Sequence, residues 1–107
     1  MQIVFGREVA TGLRENYTVL ELETFDVNGD SLEAFCVIPG DKISFTEISQ
    51  LTALKAMHQS LIDEYKKKNY VFVVQALDHL TGHFGGEMDS FYEVISQRIQ
   101  TETTLLN

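Results

Sequence analysis

Between Ser44 and Asn69 apolar residues return at three- and four-residue steps: Leu51, Leu54, His58, Leu61 and Tyr65, with Ile48, Met57 and Ile62 widening the stripe. That period is one face of an α-helix. Gln50, Lys55, Gln59, Asp63 and Glu64 keep mostly to the other side. Ser44-Phe45-Thr46-Glu47 has the S-x-x-E form of a capping box, in which the serine oxygen takes a free amide of the first turn and the glutamate reaches back to the cap amide. Lys66, Lys67 and Lys68 fall in the last turn, where positive charge opposes the helix dipole, and Asn69 suits a left-handed stop. The pattern predicts one helix over Ser44–Asn69, about 35 Å long at 1.5 Å per residue, the spine of the domain.

Ahead of this helix the pattern is that of strands. Gln2–Phe5 is a short β-prone run, Gly6 suits a bend, and Thr11-Gly12 reads as a turn. Tyr17–Val27 is rich in β-branched and aromatic residues and ends at Asn28-Gly29, a dipeptide suited to a type I′ hairpin turn. Ser31–Ile38 returns, and Pro39-Gly40 ends the strand. A two-residue turn sets Val27 opposite Asp30, Phe25 opposite Leu32, Leu22 opposite Phe35 and Leu20 opposite Val37. Leu20, Leu22, Phe35 and Val37 are then the predicted core face. The other face, with Val19, Glu21, Glu23, Phe25, Leu32, Ala34, Cys36 and Ile38, is mixed, so another element or another subunit is expected to cover part of it. A lone hairpin is marginal, so residues 2–9 are expected to add a third strand.

After Asn69, Tyr70, Val73, Val74, Leu77, Leu80, Thr81 and Phe84 form a helical stripe that predicts a helix over 70–82; a strand over 70–76 is the alternative. Gly82 and Gly85-Gly86 break it. A last helix is predicted over 88–101 from Met88, Phe91, Tyr92, Ile95 and Ile99, with the tail TETTLLN fraying. The segment YKKKNYVFVVQAL, Tyr65–Leu77, resembles the turn between the two helices of a tetratricopeptide repeat: an aromatic, a short polar turn, a second aromatic. No second repeat exists, and the resemblance implies a helical hairpin and no function. The predicted fold class is therefore α+β: one domain over 1–107, with an antiparallel sheet of about three strands in residues 1–40, then a long helix and one or two shorter helices in 44–101.

Composition narrows the function classes. The 107 residues carry a net charge of −8, and residues 1–40 alone carry −5. This balance opposes direct binding to nucleic acid or to an anionic membrane, both of which need a basic footprint. No apolar run reaches the length of a membrane span, and MQIVFGREV lacks the basic and apolar regions of a secretory signal. The single cysteine, Cys36, excludes an intramolecular disulfide, so a cytoplasmic protein is expected.

Candidate chemistry is sparse. His79 and His83 are four apart with Glu87 beyond them, a spacing that suggests a divalent-metal site or a small-ligand site; Gly82 between the histidines and the missing H-E-x-x-H pattern count against it. His79–Gly86 is glycine-rich but matches neither the dinucleotide fingerprint nor the P-loop. His58 lies in the apolar stripe and reads as a hydrogen-bonded core or interface residue. Cys36, mid-strand among apolar neighbours, reads as a small hydrophobe. No nucleophile elbow, paired-acid or other catalytic motif is present, and no cofactor is expected beyond that metal. The expected mode of action is association, with a homodimer formed through the hairpin or the long helix and with His58, Phe25 and Leu32 as interface candidates. The alternatives are an acidic decoy that occupies the basic surface of a nucleic-acid-binding protein, and the metal- or ligand-binding domain at His79 and His83.

Overall fold

In the computed structural model, which describes residues 1–106, the element order is β1 (Gln2–Phe5), α1 (Arg7–Leu13), β2 (Thr18–Val27), β3 (Asp30–Ile38), α2 (Phe45–Ile48), α3 (Leu51–Lys66), α4 (Tyr70–Leu80) and α5 (Asp89–Leu106). The three strands form one antiparallel sheet in the order β1-β3-β2, so the return strand of the hairpin is central. Asn28 and Gly29 both have positive φ, at 53° and 87°, as the type I′ turn requires. The α+β class, the three-stranded sheet and the helix over the 70s are as the sequence predicts.

The hairpin register holds only near the turn. Val27 faces Asp30 and Phe25 faces Leu32, but Glu21 faces Phe35 and Leu20 faces Cys36. Between Thr24 and Glu21 the register shifts by one residue, with Leu22 and Glu23 set against Ala34. This is a β-bulge, and because side chains alternate with period two it reassigns both faces. Leu20, Leu22, Ala34, Cys36 and Ile38 now share the face under α3, α4 and α5, while Val19, Phe35 and Val37 turn to the opposite side. The predicted core face of Leu20, Leu22, Phe35 and Val37 is thereby corrected. So is the assignment of Phe25 and Leu32 to the second face: beyond the bulge their pair returns to the helical side, in step with Ala34.

The second face has its own cover. Thr11-Gly12, expected as a turn, lies inside α1, whose Ala10 and Leu13 pack on Val19, Phe35, Val37 and Val4. Seven residues are too few to show a hydrophobic period, and the β-prone Val9 and Thr11 mask the helix. Of the two expected kinds of cover, another element or another subunit, this side has an element of the chain itself.

The predicted spine is two helices. Ser44 caps α2, its hydroxyl accepting from the Glu47 amide at 3.3 Å. The chain then tightens, with the Gln50 amide bonded to the Glu47 carbonyl, and Gln50 begins α3. Ile48 ends up exposed rather than in the stripe, whereas Leu54, His58, Leu61 and Ile62 are buried. The left-handed residue at the end of α3 is Lys68, φ 63°, not Asn69. Asn69 instead opens α4, its carbonyl taking the Val73 amide. Met88, Tyr92, Ile95 and Ile99 are buried along α5 as their spacing predicts, but the helix continues through the tail to Leu106 rather than fraying at Thr101; Asn107 lies outside the described residues.

Candidate functional site

Three arrangements bring several polar or exposed apolar side chains together, while the exposed Phe45, Ile48, Val71 and Val74 lie outside them. The first is buried. His58, from the middle of α3, is 1% exposed. Its Nε2–H donates to the Glu21 carbonyl at 2.6 Å, and its Nδ1 accepts from the Tyr92 hydroxyl at 2.9 Å. These two bonds select the Nε2–H tautomer and leave no ring nitrogen free. Phe84, Phe91 and Tyr92 surround the ring. Burial holds the imidazole below its ordinary pKa, against the pull of the Glu21 carbonyl and carboxylate. His58 thus ties α3 to β2 and α5 inside the core, which corrects its assignment to an interface.

The Glu21 side chain carries the same junction outward. Lys66 Nζ donates to it at 2.7 Å and Gln59 Nε2 at 3.1 Å, and Arg7 stands 4.0 Å away. Burial raises the Glu21 carboxyl, but the hydrogen bonds from Lys66 and Gln59 and the charges of Lys66 and Arg7 outweigh it and hold the group below its usual value. Edge strand β2 is therefore covered at Glu21, where α3 occupies both its carbonyl and its carboxylate. Two other hairpin acids are engaged too: Glu23 pairs with Arg98 at 2.7 Å and Glu33 with Arg7 at 2.6 Å.

The second arrangement surrounds the glycine-rich turn. Glu47, on α2, does not reach back to Ser44 as a capping box would. Its carboxylate accepts from His83 Nδ1 and from the Phe84 amide, at 3.2 and 3.3 Å for the two oxygens. Phe84 is fully buried at φ 56°, a costly conformation for a bulky residue. Gly85 approaches the Lys42 carbonyl so closely that a Cβ there would collide with it. The turn is thus a structural staple between the segment after β3 and the start of α5. His79 and His83 do come together, with stacked rings 5.9 Å apart. Glu87 does not join them: it faces the Met1 ammonium at 3.5 Å. The helix ends at Leu80, with Thr81 extended and Gly82 at φ 91° between the histidines, and Glu47 takes one nitrogen of His83. Among the described residues no group of three or more His, Cys, Asp or Glu side chains is placed to hold a metal. Glu47 was missed because the S-x-x-E pattern already gave it a local role; its burial after a capping serine shows only in the tertiary structure.

The third arrangement is an apolar shelf on the helical side of the sheet, where the hairpin and β1 extend past the helices. Met1, Ile3, Phe5, Phe25, Leu32 and Val94 are each 38–49% exposed. Most of them line a groove of about 340 Å³ between the sheet and α5, floored by Leu22 and Ala34. Phe25 and Leu32, named from sequence as interface candidates, lie on this shelf as a cross-strand pair. Ile3 and Phe5 belong with them, a role that four residues of β-prone sequence did not reveal. Cys36, paired with Ile3, is fully buried, and burial pushes its thiol up to about 11, well away from nucleophilic chemistry.

No family model matches this chain, and comparison with curated proteins and with solved structures returned no match. No helix of the described residues is long and apolar enough to cross a membrane.

Proposed function

We propose that this protein acts by association rather than catalysis, and that its partner is a second copy of itself. The observation that carries this reading is the shelf. Six side chains there leave on the order of 500 Å² of apolar surface in contact with water, at about 200 Å² per large side chain. That lies near the top of the range of about 300–600 Å² for the largest patch on a monomer. It is more than half of the roughly 800 Å² per partner that a stable interface buries. The one charged side chain lining the groove, Glu23, is paired with Arg98 at 2.7 Å, so a chain of net charge −8 can meet its own copy there.

The decoy reading draws less support, because Glu21, Glu23 and Glu33 are already paired within the chain. Light scattering from low to high micromolar concentration tests the proposal. The expected mass is twice 12.1 kDa, reverting to the single value in Phe5→Glu, which places a charge on the shelf. A single-chain mass at high micromolar concentration overturns it.

A further inference from the structure

The two sheet edges differ, and the difference points to how copies would join. Strand β2 is closed by α3 through His58, Gln59 and Lys66, and it carries Glu21, Glu23 and Asp26. Strand β1 has none of these protections. Its sequence, Gln-Ile-Val-Phe, contains no charge, no proline and no bulge; of the devices that commonly keep an edge from pairing it has only its four-residue length.

The register tells which groups face outward. The Gly6 amide bonds to the Glu33 carbonyl, and Gly6 stands opposite Glu33 in the same register that sets Val4 against Phe35 and Gln2 against Val37. Antiparallel pairs alternate between bonded and non-bonded, so Gln2 and Val4 direct their backbone groups to β3. Ile3 and Phe5 direct theirs to the open edge, where no partner exists among the described residues. Nearby charges are compensated: Arg7 by Glu33, and the Met1 ammonium by Glu87.

Resting on the self-association argued above, we propose that two copies join antiparallel through β1, with the two-fold axis at Val4, into one continuous six-stranded sheet. In this register Ile3 of each copy forms a bonded pair with Phe5 of the other, so four backbone hydrogen bonds satisfy the open edge. The same pairs set a β-branched residue against an aromatic one on the helical side, a favourable cross-strand combination. The two shelves become adjacent on one face of the sheet, with Ile3 and Phe5 of each at the seam and Leu32 and Phe25 one and two strands away from it. Val4 meets its own copy on the side of α1, as a non-bonded pair with a Cα separation of about 4.5 Å.

That separation lies within disulfide reach, so Val4→Cys is expected to cross-link into a covalent dimer under mild oxidation, while Gln2→Cys, set against Gly6 of the other copy, does not. Ile3→Pro removes an outward amide and leaves the bonds from Gln2 and Val4 to β3 in place, a position where an edge strand accepts proline. It is expected to weaken dimerisation by roughly tenfold or more, read as a shift in Kd by sedimentation equilibrium, with an unchanged circular dichroism spectrum. A native dimer whose Val4→Cys form stays uncrosslinked refutes the edge pairing and leaves self-association standing. A wild-type chain that is monomeric refutes both.

Discussion

The buried His58 makes stability depend on pH in a defined direction and window. Its folded pKa lies below the ordinary 6.5, because burial disfavours the imidazolium. An unfolded chain therefore takes up a proton below pH 6.5 that the native ring refuses. The stabilising contribution is complete above that value and is lost as pH falls beneath it. One proton sets a limiting slope of about 1.4 kcal/mol per pH unit, so at pH 5.5 the loss is at most about 1.4 kcal/mol. The groups facing the ring are the Glu21 carbonyl and carboxylate, the Tyr92 hydroxyl and the uncharged Phe84 and Phe91. Glu21 titrates in a separate window: its folded pKa is lowered, so its contribution is lost only as pH falls below its ordinary 4.5. His58→Gln isolates the effect. Its amide nitrogen keeps a donor for the Glu21 carbonyl, while no acceptor stands at the Nδ1 position that Tyr92 uses and the titration is gone. At pH 7.5 it is expected to cost about 1–3 kcal/mol, the penalty for an orphaned buried hydroxyl. Urea unfolding followed by circular dichroism at pH 7.5, 6.5 and 5.5, at one protein concentration, provides the measurement. His79 and His83 are present in both proteins, so the difference belongs to His58. Equal pH dependence in wild type and His58→Gln would refute the reasoning.

Other residues give equally direct expectations. Gly85→Ala is expected to lose on the order of 3 kcal/mol or more by urea unfolding, because its Cβ meets the Lys42 carbonyl and its φ is 65°. Gly12→Ala, in α1 with open space around it, is the control and is expected to be neutral or to gain about 0.4–1 kcal/mol. Glu47→Ala leaves the buried Phe84 amide without its acceptor; a cost of about 1–3 kcal/mol and faster hydrogen exchange at Phe84 are expected, and unchanged exchange would count against the staple. Cys36 is expected to resist a thiol reagent in the native protein at pH 8 and to react once the chain is unfolded in urea, since it is fully buried with its thiol raised to about 11.

How far the sequence could be read differs from element to element. Asn28-Gly29 set its turn because both residues tolerate positive φ, and the Met88–Ile99 stripe set the buried face of α5, because local chemistry and periodicity decide such features. The bulge at Leu22 and Glu23 was not legible: an extra residue in one strand is visible only against its partner, and it set Leu20 and Leu22 on the face of Ala34, Cys36 and Ile38 instead of that of Phe35 and Val37. The division between α2 and α3 was hidden because the stripe from Leu51 to Tyr65 continues smoothly backward to Ile48. Of the candidate residues, Phe25 and Leu32 proved exposed and adjacent, while His58 proved buried and the carboxylate of Glu87 was drawn to the chain terminus.

The sequence by itself determined the α+β class, the hairpin, the helices over the 70s and 90s, and an excess of apolar residues for so small a sheet. Tertiary structure alone decided which surface that excess occupies. Side-chain alternation in a strand makes a one-residue register shift exchange its two faces, and long-range pairing sets that register. The same pairing placed β3 in the centre, closed β2 with His58 and Lys66, and left β1 as the open edge.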